Sequence, residues 1–211
     1  MKASILIASI LWIAAPLAAQ APASQTHSSD IGFTYTLPAD WQVVDTHPAQ
    51  QQVQEQAGKD ATSAAGKKGI ECVQVALTAH HGEPASVIVA EALPDDCSGQ
   101  TLTVKDLPGF ASGASEGLKQ TFDMETPVYG SYTIGTHTMW AERVKSVPKN
   151  NPGATYIIEI VCSILKKGGV CFMAMEADEA GMRVFDNSLV ALEGEPPAML
   201  IPADAFVKKP Q

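Results

Sequence analysis

The chain has 211 residues, the length of one ordinary domain with room for a leader and a tail. Apolar residues make up 45% of the sequence, which is enough for a sizeable core. The 14 basic and 23 acidic residues give a net charge of −9 without a basic run, which argues against nucleic acids and anionic membrane surfaces as partners.

The first residues have the pattern of a secretory signal peptide, which we place at residues 1–21. Lys2 supplies the positive start, an apolar run follows over residues 5–17, and small residues then allow cleavage after Ala19 or Ala23. The apolar run is short for a membrane span. We therefore expect an exported protein, periplasmic or secreted, with no membrane span once the leader is removed.

The small and polar residues 22–30 predict a flexible lead-in to a single domain over residues 31–193. Three residues alternate along one face of the first strand of that domain: Phe33, Tyr35 and Leu37. A Pro-Ala-Asp break follows, and a second strand begins at Trp41. This spacing predicts a tight hairpin whose aromatic side packs onto the core.

The polar, Gln-rich and Ala-rich residues 46–69 predict either a short solvated helix or a mobile loop. Alternating apolar residues predict strands over residues 70–79 and 87–93, joined by a turn at residues 80–84. Residues 94–99 have the composition of a loop.

The first long helix is predicted over residues 107–122, with Asp106 as its N-cap. Six residues at helical spacing form its apolar stripe: Leu107, Phe110, Ala111, Ala114, Leu118 and Phe122. Gly109, Gly113 and Gly117 recur every four residues along one flank, which predicts close packing of this helix against a sheet.

Two more hairpins follow in the sequence. Residues 128–134 and 137–147 are predicted to pair, with their turn at Gly135-Thr136. Residues 154–177 then read as two apolar strands around a Lys-Lys-Gly-Gly turn. The first of these strands carries apolar residues on both faces, which is typical of a central strand that is covered on each side.

A second helix is predicted over residues 178–192 and is ended by Gly194. Its buried stripe consists of Met182, Phe185, Leu189 and Leu192. The Pro-rich tail over residues 194–211 predicts no regular structure, although four apolar residues are expected to pin it to the body: Met199, Leu200, Ile201 and Phe206. The order of elements predicts an α+β fold in which helices cover an antiparallel sheet.

The opening hairpin resembles that of the PsbP/Mog1-like superfamily, which includes photosystem II extrinsic proteins, a Ran-binding protein and many bacterial extracytoplasmic domains. The resemblance rests on the pattern Phe33-x-Tyr35-x-Leu37-Pro38-x-x-Trp41-x-Val43. The predicted closing helix, with Phe185 followed by residues 189–192, stands where those proteins carry their last helix. Over residues 31–193 the resemblance implies an α/β/α sandwich that acts as an accessory or binding module, normally without catalysis. It supplies no functional residues, and the four cysteines depart from the general family pattern.

The cysteines are Cys72, Cys97, Cys162 and Cys171. An even number of cysteines in an exported protein favours two disulfides, and three pairings are possible. We prefer Cys72–Cys97 and Cys162–Cys171, because the second pair flanks the Lys-Lys-Gly-Gly turn; this requires the two residues to lie directly opposite. Four thiolates on a metal ion are the alternative, which the absence of a CxxC spacing disfavours.

Two polar segments are candidates for interaction loops at one end of the sheet. The first contains His80, His81 and Glu83, and the second contains Asp95 and Asp96. They would bind a metal only if the loops converge, and adjacent histidines in an extended segment point apart. We therefore interpret them as polar turn residues that contact a partner, with no metal, cofactor or catalytic group assigned.

Other residues with chemical potential do not form a recognisable motif. His137 and Glu142 lie five residues apart on a strand, so they are expected on opposite faces, and His137 is placed at the sheet surface. Four aromatic residues could line a groove or belong to the core: Trp41, Tyr129, Tyr132 and Trp140. No serine has the strand–turn–helix setting of a hydrolase nucleophile, and no phosphate-binding glycine loop is present.

These observations predict a disulfide-stabilised, exported accessory or binding protein that is not an enzyme. Its expected partner is another extracytoplasmic protein or an envelope component. A carrier of a small apolar ligand or lipid is the alternative, and it requires a cavity between the central hairpin and the helix over residues 107–122. A hydrolase or metal-dependent enzyme is a further alternative, which requires titratable side chains with shifted pKa values in a cleft.

Overall fold

The computed structural model describes residues 24–60, 71–82, 86–99 and 101–206, so the predicted signal peptide lies outside the described residues. The strands in these ranges are β1 (Gln25–Ser29), β2 (Phe33–Leu37), β3 (Gln42–Val43), β4 (Gln74–His81), β5 (Ser86–Pro94), β6 (Phe122–Met124), β7 (Val128–Ile134), β8 (His137–Pro148), β9 (Tyr156–Leu165), β10 (Gly168–Glu176), β11 (Leu189–Leu192) and β12 (Ala198–Met199). The α-helices with bounds in these ranges are α1 (His47–Asp60), α2 (Asp95–Ser98), α3 (Leu107–Glu116) and α4 (Glu179–Asp186). Short 3-10 helices at Val104–Asp106 and Gly117–Gln120 flank α3.

The large sheet is antiparallel and has the order β3-β4-β5-β10-β9-β8-β6, with β7 also paired to β8. The hairpin β9–β10 lies in its middle, as the sequence predicts. Its turn consists of two residues, Lys166 and Lys167, because Gly168 already pairs with Leu165. Gly168 has a φ of 141°, a conformation that suits glycine, so the predicted Gly-Gly pair begins β10 instead of forming the turn.

The side chains on the two faces of β9 belong to two different hydrophobic cores, because successive side chains of a strand point in opposite directions. Ile157 and Val161 join the core that the second sheet covers. Ile158, Ile160 and Cys162 join the core beneath α3. The predicted α+β fold with an antiparallel sheet and covering helices is confirmed.

A second sheet with the order β1-β2-β11-β12 covers one face of the large sheet, together with α4. Phe33 and Tyr35 of β2 contact the ring of Phe172 on β10, with ring centroids 5.1 and 5.6 Å apart. The predicted burial of the aromatic side of β2 is therefore confirmed. The predicted hairpin is wrong, because β2 pairs with β1 and β11, whereas β3 pairs with β4 in the large sheet.

Three further boundaries differ from the sequence-based prediction. Part of the predicted flexible lead-in forms β1, whose residues pair along the whole of β2. The first strand of the next hairpin begins at Gln74 and contains an irregularity between Val75 and Leu77. The segment predicted as a loop after β5 contains the single turn α2. In the polar segment after β3, α1 (His47–Asp60) is the helix that was one of its two predicted alternatives, and residues 61–69 lie outside the described residues.

The predicted helix over residues 178–192 ends at Asp186, and its second half is the strand β11. The Ser188 hydroxyl donates a hydrogen bond to the carbonyl of Phe185 at 2.5 Å and lies 2.7 Å from the Tyr35 hydroxyl. A side chain that binds the local backbone in this way competes with continued helix. Leu189 is 41% exposed, so it does not belong to a buried helical stripe.

Helix α3 confirms the predicted apolar stripe, the predicted start at Leu107 and Asp106 as the N-cap residue, but it ends earlier than predicted. The Asp106 side chain does not bond to α3, because it is held with Thr103 in a reciprocal capping box around the preceding 3-10 helix. The stripe continues past Glu116 through a 3-10 turn, and Phe122 belongs to β6. Gly109 and Gly113 face open space, so the predicted close packing along the glycine flank is wrong there. Close approach occurs instead at Gly169, where an added Cβ would meet the ring of Phe110.

The C-terminal segment packs on the same core as the second sheet. Leu200 and Ile201 are buried and Phe206 is partly buried, as predicted, whereas Met199 is 48% exposed. Met199 instead belongs to β12, which pairs with β11, so the prediction that the tail has no regular structure is wrong. Gly130 on β7 lies so close to Ala205 that an added Cβ would overlap its carbonyl. Within the described part of the chain, no helix has both the length and the apolar content of a membrane span.

We predict that Gly130→Ala lowers the free energy of unfolding by about 1–3 kcal/mol, because the methyl group forces the backbone at Ala205 away from β7. Urea unfolding measures this change. Gly113→Ala is the matched control, because nothing lies within 4 Å of its added Cβ; it should raise stability by roughly 0.4–1 kcal/mol. Equal stability of Gly130→Ala and the parent chain would contradict the packing described here.

Candidate functional site

Both preferred disulfide pairings are present. The sulfur atoms of Cys72 and Cys97 lie 2.10 Å apart, and those of Cys162 and Cys171 lie 2.01 Å apart. Cys162 and Cys171 are directly opposite in the β9–β10 register, as this pairing requires. Disulfides persist in oxidising compartments, so the two pairs are consistent with a location outside the cytoplasm.

The two predicted interaction loops do not meet. His80 and His81 end β4, whereas Asp95 and Asp96 begin α2 after β5 has crossed the sheet in the opposite direction. The loops therefore lie at opposite ends of the sheet, and the prediction of one shared end is wrong. His81 instead approaches the carboxylate of Asp40 at 3.4 Å.

Glu83, the third residue of the first predicted loop, lies outside the described residues. Among the residues that the structure does describe, no group of three or more His, Cys, Asp or Glu side chains is arranged to hold a metal ion.

The four aromatic residues are divided between the two faces of the large sheet, so they do not line one groove. Trp41 is buried in the core under the second sheet, and Tyr132 packs against the same core and donates a hydrogen bond to the carbonyl of Leu200 at 2.6 Å. Tyr129 and Trp140 lie on the α3 side, with ring centroids 5.8 Å apart.

His137 and Glu142 do face opposite sides of β8, as predicted. The His137 side chain is only 10% exposed and lies 3.8 Å from Glu193 and 3.7 Å from Glu195. It is therefore buried among turn residues, which corrects its predicted place at the sheet surface. Glu142 faces α3 and is 5% exposed.

The interface that an apolar carrier would need is filled. Leu107 and Ala111 of α3 and Ile160 of β9 are all buried there in one continuous cluster. The close approach of Phe110 to Gly169 fills the same interface nearer the β9–β10 turn. An apolar ligand would have to displace these side chains, and each buried one contributes about 1.5–3 kcal/mol.

A cleft of about 440 Å³ opens at the C-terminal end of α3, beside the sheet edge formed by β6, β7 and β8. Its floor contains Ser115 and Glu142, which are 3% and 5% exposed. Phe122 and Tyr129 form apolar parts of its walls. This volume is within the roughly 300–1,000 Å³ of small-molecule sites.

The register of the sheet places the floor and one wall together, because Tyr129 on β7 lies directly opposite Glu142 on β8. Ser115 approaches from α3, where its hydroxyl donates to the carbonyl of Ser112 at 3.0 Å. Burial raises the pKa of Glu142, while the Lys119 ammonium and a hydrogen bond with Ser115 oppose this shift. The Glu142 carboxyl is therefore harder to ionise than an exposed one.

Charged side chains of both signs surround the opening. Lys119 pairs with Glu116 at 2.6 Å, and the ammonium of Lys149 donates to the carbonyl of Lys119 at 2.5 Å. Asp123 and Glu125 add two exposed carboxylates to the lining. The cleft lining therefore holds two ammonium groups and, with Glu142, three carboxyl groups.

A larger depression of about 670 Å³ lies at the N-terminal end of α3 and includes Lys105 and Asp106. Hydrogen bonds from Thr103 lower the pKa of Asp106, because its carboxylate is held in the capping box. This depression lacks a buried polar floor, so the cleft at Glu142 is the stronger candidate.

A second buried group of charges lies on the opposite face of the sheet, between β8, β9 and α4. Arg143 contacts Glu159 at 2.7 Å, Asp186 at 3.3 Å and Glu179 at 3.6 Å. Burial and the neighbouring Asp186 carboxyl raise the pKa of Glu159, whereas Arg143 opposes the shift. The Phe206 ring covers the guanidinium at 5.4 Å, so this group joins the sheet to α4 and to the C-terminal segment.

Sequence reasoning did not identify Glu142 and Glu159 as buried carboxyl groups, although the strands carry a signal for each. Glu142 interrupts an apolar face between Trp140 and Val144, and Glu159 lies between two isoleucines on a strand that is apolar on both faces. A single charged residue within such a face indicates a buried polar group. The partners from α3 and α4 have no such local signal.

No protein-family model matches the sequence, and no curated protein shows a significant sequence match. Among solved structures, the chain is similar to the solution structure of cyanobacterial PsbP (CyanoP) from Synechocystis sp. PCC 6803. The two chains are 11% identical, the match covers 80% of this chain and 88% of the other, and the TM-score is 0.43. The opening pattern resembles the superfamily of that protein, but a similarity of this size carries no argument about function.

We predict that Glu142→Gln changes how stability depends on pH. The folded protein retains a proton on Glu142 that the unfolded chain releases above its ordinary pKa of 4.5. As the pH rises above this value, the free energy of unfolding of the parent chain therefore falls until the pH passes the pKa of Glu142 in the folded state. Glu142→Gln has no carboxyl group at this position and does not show this decrease. Between about pH 4.5 and about pH 8, the urea concentration at the unfolding midpoint should therefore decrease for the parent chain relative to the variant. Parallel profiles for the two proteins would contradict a raised pKa of Glu142 in the folded protein.

We also predict that Arg143→Met lowers the free energy of unfolding by about 3–5 kcal/mol, because Glu159 and Asp186 lose their buried counter-charge. The exposed Arg183 of α4 supplies the matched control, and Arg183→Met should change stability by less than about 0.5 kcal/mol. Chemical denaturation of the two variants at one pH gives the comparison. A similar effect of both changes would show that the Arg143 group does not hold α4 on the sheet.

Proposed function

We propose that this chain is an exported, non-catalytic binding protein, and that it holds its ligand in the cleft over Glu142. The observation that supports this most is the buried pair Ser115 and Glu142 at the floor of an open cleft. A buried carboxyl group is costly to desolvate, so its presence at the floor of a cleft favours a role in recognition.

The location is part of the proposal. The signal-peptide pattern of residues 1–21 and the two disulfides both favour export to the periplasm or the medium. The ligand is then an envelope component or a group presented by another extracytoplasmic protein. The acidic net charge of −9 does not favour nucleic acid.

A binding role fits the chemistry of the floor better than a catalytic one. The Ser115 hydroxyl lies 3.0 Å from the carbonyl oxygen of Ser112 and also hydrogen-bonds Glu142, so both floor groups are fixed by contacts within the protein. The groups at the floor are hydrogen-bond donors and acceptors held in place by α3 and β8. Such groups orient a ligand within a cleft.

We predict that filling the cleft abolishes ligand binding without unfolding the protein. Ser112 is exposed at the cleft wall, so Ser112→Trp places an indole in the opening and removes no core contact. Ser112→Ala is the matched control that leaves the cleft open. Amide NMR spectra of the full chain, with and without a low-molecular-weight extract of the cell envelope, provide the measurement.

Shifts in the amides of Ser115, Tyr129 and Glu142 are expected for the parent chain and for Ser112→Ala, and they should be absent in Ser112→Trp. Perturbations that survive the tryptophan substitution would place the site elsewhere. Spectra that do not change for any of the three proteins would contradict the proposed binding function.

A further inference from the structure

We infer that the cleft takes a neutral carbohydrate, with one sugar ring seated on Tyr129 and its hydroxyl groups directed to Glu142 and Ser115. This inference rests on the proposed binding function and specifies its ligand class. Three features of the cleft carry it: charges of both signs in its lining, the mixture of donors and acceptors, and an exposed aromatic face.

The charges disfavour an ionic ligand of either sign. An anion such as phosphate would approach the carboxylates of Asp123 and Glu125 and the buried Glu142. A cation would approach the ammonium groups of Lys119 and Lys149. A charged ligand would therefore meet repulsion as well as attraction, and desolvation of its charge would add to the cost. A neutral ligand avoids both.

The polar groups of the cleft suit hydroxyl groups, which both donate and accept hydrogen bonds. Ser115 and the tyrosine hydroxyl of Tyr129 can do the same, and the Glu142 carboxyl adds acceptor oxygens at the floor. Each lysine ammonium has three N–H donors, and the contacts to Glu116 and to the Lys119 carbonyl use one on each lysine. The cleft can thus serve several hydroxyl groups of one molecule at once.

The aromatic wall supplies a surface for the C–H face of a pyranose ring. Tyr129 is 40% exposed, and Trp140 lies against it at 5.8 Å with an interplanar angle of 38°. This packing holds the tyrosine ring in place beside the polar floor, so that stacking and hydrogen bonding act on the same ligand. An apolar ligand would leave the floor unsatisfied, and a linear polyol has no rigid face to stack.

The test is a titration of the isotope-labelled full chain, followed by amide NMR. The sugar probes are glucose, N-acetylglucosamine, cellobiose and N,N′-diacetylchitobiose. Sorbitol provides hydroxyl groups without a ring, and spermidine and inorganic phosphate represent the two ionic classes. We expect at least one sugar to shift the amides of Ser115, Tyr129 and Glu142, and sorbitol to leave them unchanged.

Tyr129→Ala should weaken the binding of that sugar about tenfold or more, because the stacking face is lost. Val184→Ala is the control for removal of an exposed apolar side chain, since Val184 is 42% exposed on α4, across the sheet from the cleft. It should leave the dissociation constant unchanged. Sugar binding that Tyr129→Ala does not weaken, or that shifts only amides outside the cleft, overturns the inference.

The outcome for the ionic probes separates this inference from the proposed function. If spermidine or phosphate shifts the cleft amides and no sugar does, the carbohydrate assignment is overturned while a binding role for the cleft stands. If neither the defined probes nor the envelope extract shifts any cleft amide, both the carbohydrate assignment and the binding function are overturned.

Discussion

The need to cover both faces of the hairpin β9–β10 controls the rest of this structure. Its two strands carry large apolar side chains on each face, and a fully buried residue of this kind contributes about 1.5–3 kcal/mol. Several such residues lie on each side, while the net stability of a domain is only about 5–15 kcal/mol. Neither face can be left in water, so α3 covers one and the second sheet with α4 covers the other.

The same arrangement explains why two carboxyl groups at neighbouring positions of the sheet have different surroundings. Glu159 faces α4 and has Arg143 at 2.7 Å, within a group that also joins the C-terminal segment to the sheet. Glu142 faces α3, where burial dominates and the Lys119 ammonium only opposes the rise of its pKa. The first group connects layers of the fold. The second contacts Ser115 and lies near Lys119 at an open cleft, which is why we propose a role in recognition for it.

The parts of the fold that the sequence predicts are those whose signal is local. The hairpins β7–β8 and β9–β10 follow from alternating residues and short turns, and the Cys162–Cys171 disulfide follows from their register. The second sheet could not be found in this way, because β2 pairs with β11 about 150 residues later. The apolar residues at 189–192 fit the pattern of a helical stripe as well as the alternation of a strand. Pairing with β2 makes this segment a strand.

The cleft could not be predicted from the sequence either, because the elements that form it are also separated along the chain. Its floor and walls come from α3, β6, β7 and β8, which the chain brings together only after the sheet has formed. Two local events then leave the space open. The helix α3 ends at Glu116 and tightens into a 3-10 turn, and β6 and β7 share one edge of β8 without covering it continuously.

The rim of the cleft is tied together by its own contacts, which bears on how it can bind. Lys149 follows β8 and donates to the backbone of Lys119 after α3, so the two segments that carry the ammonium groups are fixed to each other. Trp140 supports Tyr129 from within the sheet. Because these side chains are held before a ligand arrives, little conformational entropy remains to be lost on binding. A weak, neutral ligand can therefore be bound by a few hydrogen bonds and one stacked ring, which is the task that a preformed cleft of this composition suits best.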